Sequence, residues 1–327
     1  MLEDSILKSV LAPYIEGLLK EKRSLGRDYG TEEKILLRLD RYCAERNLAT
    51  INVTKDFLGD WCGQSETEGV SFHGKRISVA RQLMLYMASL GIDVYLPKNE
   101  LGTEVILPHL LTDDEKAAFF RSVDGYVTDT LSHSVCRRMA NEYVVLFRML
   151  YCCGLRNGEG CGLPSDCVDL EAGVLTIRNA KGKKDRLVYM RDDLTELCRT
   201  YHSYLCNLAG FRPVWFFPGR SLDKHLRNTT VDRAFNRFWE CTPQAKGCGN
   251  KPTVHDLRFT FVTDRINEWA RQDIDVDTMM PYLSRYVGHK RLQETYYYYH
   301  TSEELYESIR KKDKTSPNAI PEVSDYE

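Results

Sequence analysis

A chain of 327 residues exceeds what one hydrophobic core usually holds, so a division into two domains is expected. Its 43% hydrophobic and 28% charged residues are those of an ordinary globular protein, and no apolar run approaches the roughly 18–20 residues that span a bilayer. A net charge of −2 announces no nucleic-acid partner, although global charge is a poor guide to one basic face; the eleven cysteines, odd in number and without a C-x-x-C pair, exclude a disulfide scaffold.

The opening stretch, Met1 to Lys8, is acidic where an export signal is basic, so a cytoplasmic location is expected, with no membrane partner. Apolar residues then recur at helical spacing in Ile6, Val10, Leu11, Ile15, Leu18 and Leu19, and again in Ile35, Leu36, Leu39 and Tyr42. Thr54 stands where a helix cap belongs, ahead of Phe57, Leu58 and Trp61. A fourth helix is expected from Ile77 to Leu90, ended by Gly91. Lys20, Lys22, Arg23, Arg27, Lys75, Arg76 and Arg81 mark these helices or their junctions. Singly, each suits a solvated face; as a group they suit phosphate contact.

Residues 1–95 are therefore expected to form an all-helical domain. The Pro- and Gly-containing stretch at 96–108 reads as a linker. Thr112 followed three residues later by Glu115 has the signature of a capping box and opens a second domain over 109–312. Within it, Gly173–Arg178 and Arg186–Met190 flank a basic, Gly-containing turn, as the strands of a hairpin do. Helical patterns resume from Leu194. Residues 313–327 contain too little apolar surface to pack and are expected to form a mobile tail.

Five segments of the second domain can carry chemistry. Arg156, in Gly154-Leu155-Arg156-Asn157-Gly158-Glu159, stands at a turn, where a guanidinium either grips a phosphate through paired hydrogen bonds or simply pairs with Glu159. The hairpin turn Lys181-Gly182-Lys183-Lys184-Asp185-Arg186 concentrates positive charge suited to a DNA groove, or to a soluble turn. His255 and Arg258 lie on one face of an apolar helix. A histidine there is often structural, but an unpaired buried arginine is costly and asks for a purpose. Gly288-His289 ends a helix, by itself an ordinary cap. Tyr296 to Tyr299 cannot all face a core, so one phenol is expected to be exposed. Cys241, Cys248 and His255 lack the close ligand pairs and fourth member of a structural zinc site.

In this order the segments form a pattern. Arg156, Lys181, His255-x-x-Arg258, Gly288-His289 and Tyr298, spread over about 140 residues, resemble the tyrosine recombinase (phage integrase) family. The local contexts agree: G-L-R-x-x-E, K-G-x-K-x-R, H-D-L-R, and a tyrosine nine residues after the Gly-His histidine with His300 two residues beyond it. That register selects Tyr298 among its neighbours. The chain departs from many relatives at Phe259, a position not expected to touch phosphate.

The resemblance implies a mainly α fold: an all-helical N-terminal core-binding domain and a mostly helical catalytic domain with a small antiparallel β-sheet or hairpin. It implies a recombinase or integrase that cuts and rejoins DNA through a 3′-phosphotyrosyl intermediate, serving integration, excision or transposition of a mobile element. Arg156 and Arg258 would bind the non-bridging phosphate oxygens and His289 would add a hydrogen bond. Tyr298 would attack, His255 would accept its proton, and Lys181 would protonate the leaving 5′ oxygen. Glu159 would position Arg156. No cofactor is expected, and no compact Asp/Glu cluster of the kind two-metal nucleases use accompanies these residues. The implied partners are double-stranded DNA carrying specific recombination sites, accessory proteins, and three further copies of the chain in a synaptic homotetramer. Residues from Glu303 to Lys312 could be the helix exchanged between subunits. A type IB topoisomerase, or an inactive DNA-binding regulator on the same scaffold, are the alternatives.

Overall fold

In a computed structural model the chain divides into two units, Met1–Ile106 and Leu107–Glu327. The structure describes residues 7–27, 29–64, 68–98, 108–129, 134–180 and 184–298. The tip of the expected basic turn, most of the expected linker, His300, the segment 303–312 and the tail at 313–327 lie outside these residues.

The first unit contains α1 (Ala12–Ser24), α2 (Gly30–Glu45), α3 (Lys55–Cys62) and α4 (Val70–Ser89). Leu11, Ile15 and Leu18 meet Ile35, Leu36 and Leu39 of α2, Leu58 and Trp61 of α3, and Leu83, Met84 and Met87 of α4 in one apolar core. Val10, expected with them, is exposed. The buried carboxylate of Asp40 ties down the entry to α1, accepting from the backbone N–H groups of Lys8 (2.8 Å) and Ser9 (3.0 Å). Thr54 caps α3 as expected, its hydroxyl oxygen accepting from the N–H of Phe57 at 3.3 Å. Gly91, at φ +85°, follows the end of α4.

α4 starts seven residues earlier than its apolar pattern begins, because polar contacts hold its first turns. His73 is buried with Nε2 2.7 Å from the Cys62 carbonyl, and Arg76 grips Glu68 through two bonds (2.6 and 2.9 Å) while donating to the Gly63 carbonyl. This also revises the expected basic group. Arg76 is largely buried, with its guanidinium 5.0 Å from the Trp61 ring, and Arg81 donates to the Pro97 carbonyl. Both brace the unit.

In the second unit, α5 (Asp113–Asp129) opens on the expected capping box. The Thr112 N–H donates to the Glu115 carboxylate (2.8 Å) and the Glu115 N–H to the Thr112 hydroxyl (3.3 Å). α6 (Ser134–Cys152), α7 (Asn157–Cys161), α8 (Asp192–Ala209) and α9 (Asn228–Glu240) follow, the last two after the sheet. Phe119 of α5, Phe147 of α6, and Phe235 and Phe238 of α9 pack with ring centroids 4.7–6.5 Å apart, mostly edge to face, in the centre of the core.

The sheet has three antiparallel strands in the order β1 (Val168–Asp169), β2 (Val174–Ala180), β3 (Lys184–Tyr189). The short β1 adds to the expected hairpin, too short to leave a periodic signal. Leu175 pairs with Val188 and Ile177 with Arg186, so Leu175, Ile177 and Val188 face the core while Leu187 and Tyr189 face outward. Arg186, expected both to open the second strand and to end the basic turn, lies within β3 and faces inward rather than toward a groove. A last group, α10 (Val254–Arg271), α11 (Val276–Val287) and α12 (Gln293–Tyr296), packs Phe261, Val262, Ile266, Met280, Leu283, Val287 and Tyr298 into a second cluster. No helix among the described residues is long and apolar enough to cross a membrane.

Phe147 makes the clearest core prediction. Phe147→Ala removes a fully buried ring from among four others, Phe119, Tyr143, Phe235 and Phe238, and should cost about 3–5 kcal/mol, read as a lowered urea midpoint for the second unit.

Candidate active site

The site is assembled at the carboxyl end of α11. Gly288 takes the left-handed conformation (φ +72°, ψ 47°), and this turn lets its N–H reach the Arg285 carbonyl (3.1 Å) and the His289 N–H reach that of Ser284 (3.0 Å). Three successive carbonyls are left pointing out of the helix end. Tyr286 accepts from Arg186 Nε (2.9 Å), Val287 from Arg258 Nη2 (2.6 Å), and Gly288 from Arg156 Nη2 (2.9 Å). The negative end of the helix dipole favours these cations. Glycine is also needed for space, since a Cβ at position 288 would lie 2.9 Å from Arg186 Nη1.

Each arginine arrives from a different element. Arg156 is the N-cap of α7, after a chain reversal at Gly154 (φ +57°), where a Cβ would meet the Phe261 ring at 2.5 Å. Glu159, at the third position of that helix, accepts from the Arg156 backbone N–H (2.9 Å) and Nη1 (2.9 Å). The same carboxylate takes both terminal nitrogens of Arg186, at 2.9 and 2.7 Å. Arg258 lies in the second turn of α10, whose start is fixed by a reciprocal Thr253–Asp256 capping box. It is 1% exposed and donates to the carbonyls of Gly154 (2.6 Å) and Val287.

Two guanidiniums therefore share one carboxylate, and a third, Arg258, lies near enough to feel its charge. Burial works against the Glu159 charge, but hydrogen bonds and charge from Arg186, then Arg156, outweigh it and bring its pKa down to about 2. Arg258 has no carboxylate hydrogen-bonded to it among the described residues. Burial, then repulsion from Arg156, lowers its pKa to about 10, which leaves it charged at neutral pH.

Tyr298 follows α12 and is 4% exposed. Its ring lies nearly parallel to that of His289 (centroids 5.8 Å apart, 16°) and 5.0 Å from Phe259. Burial raises its pKa, while the charge and hydrogen bond of Arg258, then Arg156, pull the other way. Tyr297 is 38% exposed, so the exposed phenol that the tyrosine run demands is there and the arginine-facing one is Tyr298. His289 is driven down to about 3 by burial, then by Arg258, Arg156 and Arg186, and is neutral at physiological pH; its Nδ1 lies 2.7 Å from Thr295 Oγ1. His255 is exposed, with its ring edge-on to Phe259 at 4.9 Å.

The fold thus brings Arg156, Arg258, His289 and Tyr298 together, with His255 and Tyr298 packed against the same Phe259 ring; Lys181 lies outside the described residues. Sequence reasoning read Arg186 as charge on a turn, discounted Phe259 and assigned Thr295 no role. For Arg186 a signal existed: its place in the alternation of β3 puts it on the inward face, where a charge needs a partner. Phe259, discounted for phosphate contact, walls the tyrosine.

The Glu159 carboxylate should make stability depend on acid. Its folded pKa lies below its ordinary value of 4.5, so its contribution is complete above about pH 4.5 and is lost as pH falls toward 2. Glu159→Gln should flatten the acid limb of stability against pH and cost about 3 kcal/mol at pH 7, measured by denaturant titration across pH 2–7.

Comparison with known proteins bears on this arrangement. The model of the phage integrase family matches residues 127–304. A Sinorhizobium fredii protein described as integrase/recombinase y4rE is 32% identical over 295 residues, covering 88% of this chain and 91% of that one. Among solved structures, XerH site-specific recombinase bound to its palindromic difH substrate aligns with TM-score 0.59 at 17% identity, over 90% of this chain and 82% of that chain. A lambda integrase tetramer bound to a Holliday junction aligns with TM-score 0.55 at 15% identity, over 88% and 79%. A mainly helical fold, a small antiparallel sheet, a tyrosine beside clustered arginines and a family match over more than half its length agree: the chain belongs to the phage integrase family, the tyrosine recombinases.

Proposed function

We propose that this protein is a site-specific recombinase that breaks and rejoins double-stranded DNA through a covalent bond between Tyr298 and a 3′ phosphate. The observation that supports this most is the pairing of Tyr298 with Arg258. The Arg258 guanidinium is buried, and its hydrogen bonds among the described residues go to neutral carbonyls and a phenol, so its charge lacks a bonded carboxylate there. A phosphodiester fits that deficit in charge and in the two-pronged geometry of its oxygens.

The chemistry follows from the groups. Arg156 and Arg258 hold the non-bridging oxygens, and neutral His289 donates a further hydrogen bond, offsetting charge that builds as the phosphorus becomes five-coordinate. Tyr298 Oη bonds to phosphorus and the bond from phosphorus to the 5′ oxygen breaks. The phenolic proton passes to His255 and the departing oxygen takes one from Lys181. Glu159 holds Arg156 in place. The phosphodiester is exchanged for a phosphotyrosyl ester, so a 5′-hydroxyl of a second strand reverses the step without an energy source.

The relatives point to the wider setting. Two paired DNA sites held by a homotetramer, and integration, excision or transposition of a mobile element, are the assembly and task we assign. The first unit serves as the core-binding domain over residues 1–95, and 109–312 form the catalytic domain.

A nicked suicide duplex tests the reading, since an active enzyme becomes trapped on DNA. Tyr298→Phe should abolish trapping while Tyr297→Phe keeps it. Arg156→Gln or Arg258→Gln should slow it about 10²–10³-fold by removing one donor. Trapping that survives in Tyr298→Phe would overturn the assignment. Supercoiled plasmid relaxed without strand exchange would instead favour a topoisomerase.

A further inference from the structure

Thr295 stands three residues before Tyr298, on α12, and is 0% exposed. Its backbone N–H closes the local turn onto the Leu292 carbonyl (2.8 Å), and its hydroxyl has one partner among the described residues, His289 Nδ1 at 2.7 Å. The imidazole stacks on the Tyr298 ring, and its Nε2 has no hydrogen-bond partner among the described residues.

A neutral imidazole carries one proton, on either ring nitrogen, so its usefulness to an anion depends on which. With the proton on Nε2, the free nitrogen is a donor. With it on Nδ1, the free nitrogen presents a lone pair and repels a phosphate oxygen. The two arrangements also differ at the threonine. A protonated Nδ1 would donate to Oγ1 and leave the hydroxyl hydrogen buried without an acceptor, whereas an unprotonated Nδ1 accepts that hydrogen.

We propose that Thr295 is a positioning residue that fixes His289 as the tautomer protonated on Nε2, the form that can donate to the scissile phosphate. This rests on the assignment of His289 to the active site. The hydroxyl belongs to the same short segment as the nucleophile, which has a mechanistic consequence. His289 is set to donate only while the segment bearing Tyr298 is seated against it, so seating the nucleophile and arming the oxyanion donor are one event.

The test uses the full chain with Thr295→Val, which keeps the shape and removes the hydroxyl, and Thr295→Ser, which keeps the hydroxyl. Single-turnover trapping on the suicide duplex should fall about 10- to 100-fold in the valine variant and stay within about threefold of wild type in the serine variant. In the background of His289→Ala, Thr295→Val should cause no further loss. The direct readout is nitrogen NMR of protein carrying ¹⁵N-histidine: His289 should show its proton on Nε2 in the wild type and a mixture in the valine variant.

Equal rates for valine and wild type, or a serine variant as slow as valine, would overturn the proposal, as would a wild-type His289 protonated on Nδ1. The wild-type spectrum decides even if the valine variant fails to fold. It also separates this proposal from the assignment beneath it, because the tautomer is read without DNA cleavage. An Nε2 proton in a protein that never traps DNA would sink the function and leave the Thr295 contact standing.

Discussion

The carboxyl end of one helix organises the candidate active site of this protein. Every α-helix ends with carbonyls that lack partners, usually answered by a glycine turn and water. In α11 the turn at Gly288 satisfies Ser284 and Arg285, and arginines satisfy the rest: Arg186, Arg258 and Arg156 take Tyr286, Val287 and Gly288 in sequence. One helix end thereby fixes side chains from a strand and two other helices. Because the carbonyls are neutral, they orient the arginines without adding negative charge, and Arg156 and Arg186 share the single carboxylate of Glu159.

That distinction sets the electrostatics. A carboxylate for every guanidinium would hold the arginines equally well and leave nothing to attract a phosphate. Here Glu159 serves both Arg156 and Arg186, and Arg258 leans on carbonyls and the Tyr298 phenol. Burial, reinforced by the surplus of positive charge, lowers the pKa of His289 to about 3, so the imidazole adds no further charge. The same positive charge counteracts burial at Tyr298, where desolvation disfavours the phenolate and Arg258 favours it. Phe259 packs against both Tyr298, tilted, and His255, edge to face, and supplies an apolar wall to the site.

Arg186 illustrates how the candidate site is braced by a residue tied to its neighbours. It extends from β3, straddles Glu159 with both terminal nitrogens, and packs so closely on Gly288 that a Cβ there would force it to shift. The hairpin, the Arg156 turn and the Gly-His turn are therefore registered to one another by one side chain. Arg76 has a comparable bracing role in the first unit, where Glu68 and the Trp61 ring hold it and the first turns of α4 form around it.

Much of this was legible in the residues. Apolar spacing located the helices, Thr54 and the Thr112–Glu115 pair marked helix starts, and the order of Arg156, Lys181, His255, Arg258, His289 and Tyr298 identified the family. These signals are local, or are fixed separations along the chain, and a linear text records both. It does not record which carbonyl an arginine meets. Arg186 read as groove-facing charge because its partner Glu159 is 27 residues away. α4 read too short because its first turns depend on polar contacts with α3 and the residues after it. Thr295 read as nothing, since its meaning lies in a nitrogen six residues back that a helix turn brings to it. The sequence by itself determined which side chains could do the chemistry. The tertiary structure decided which are charged, which are held and which face one another, because desolvation and hydrogen bonding depend on neighbours that only folding supplies.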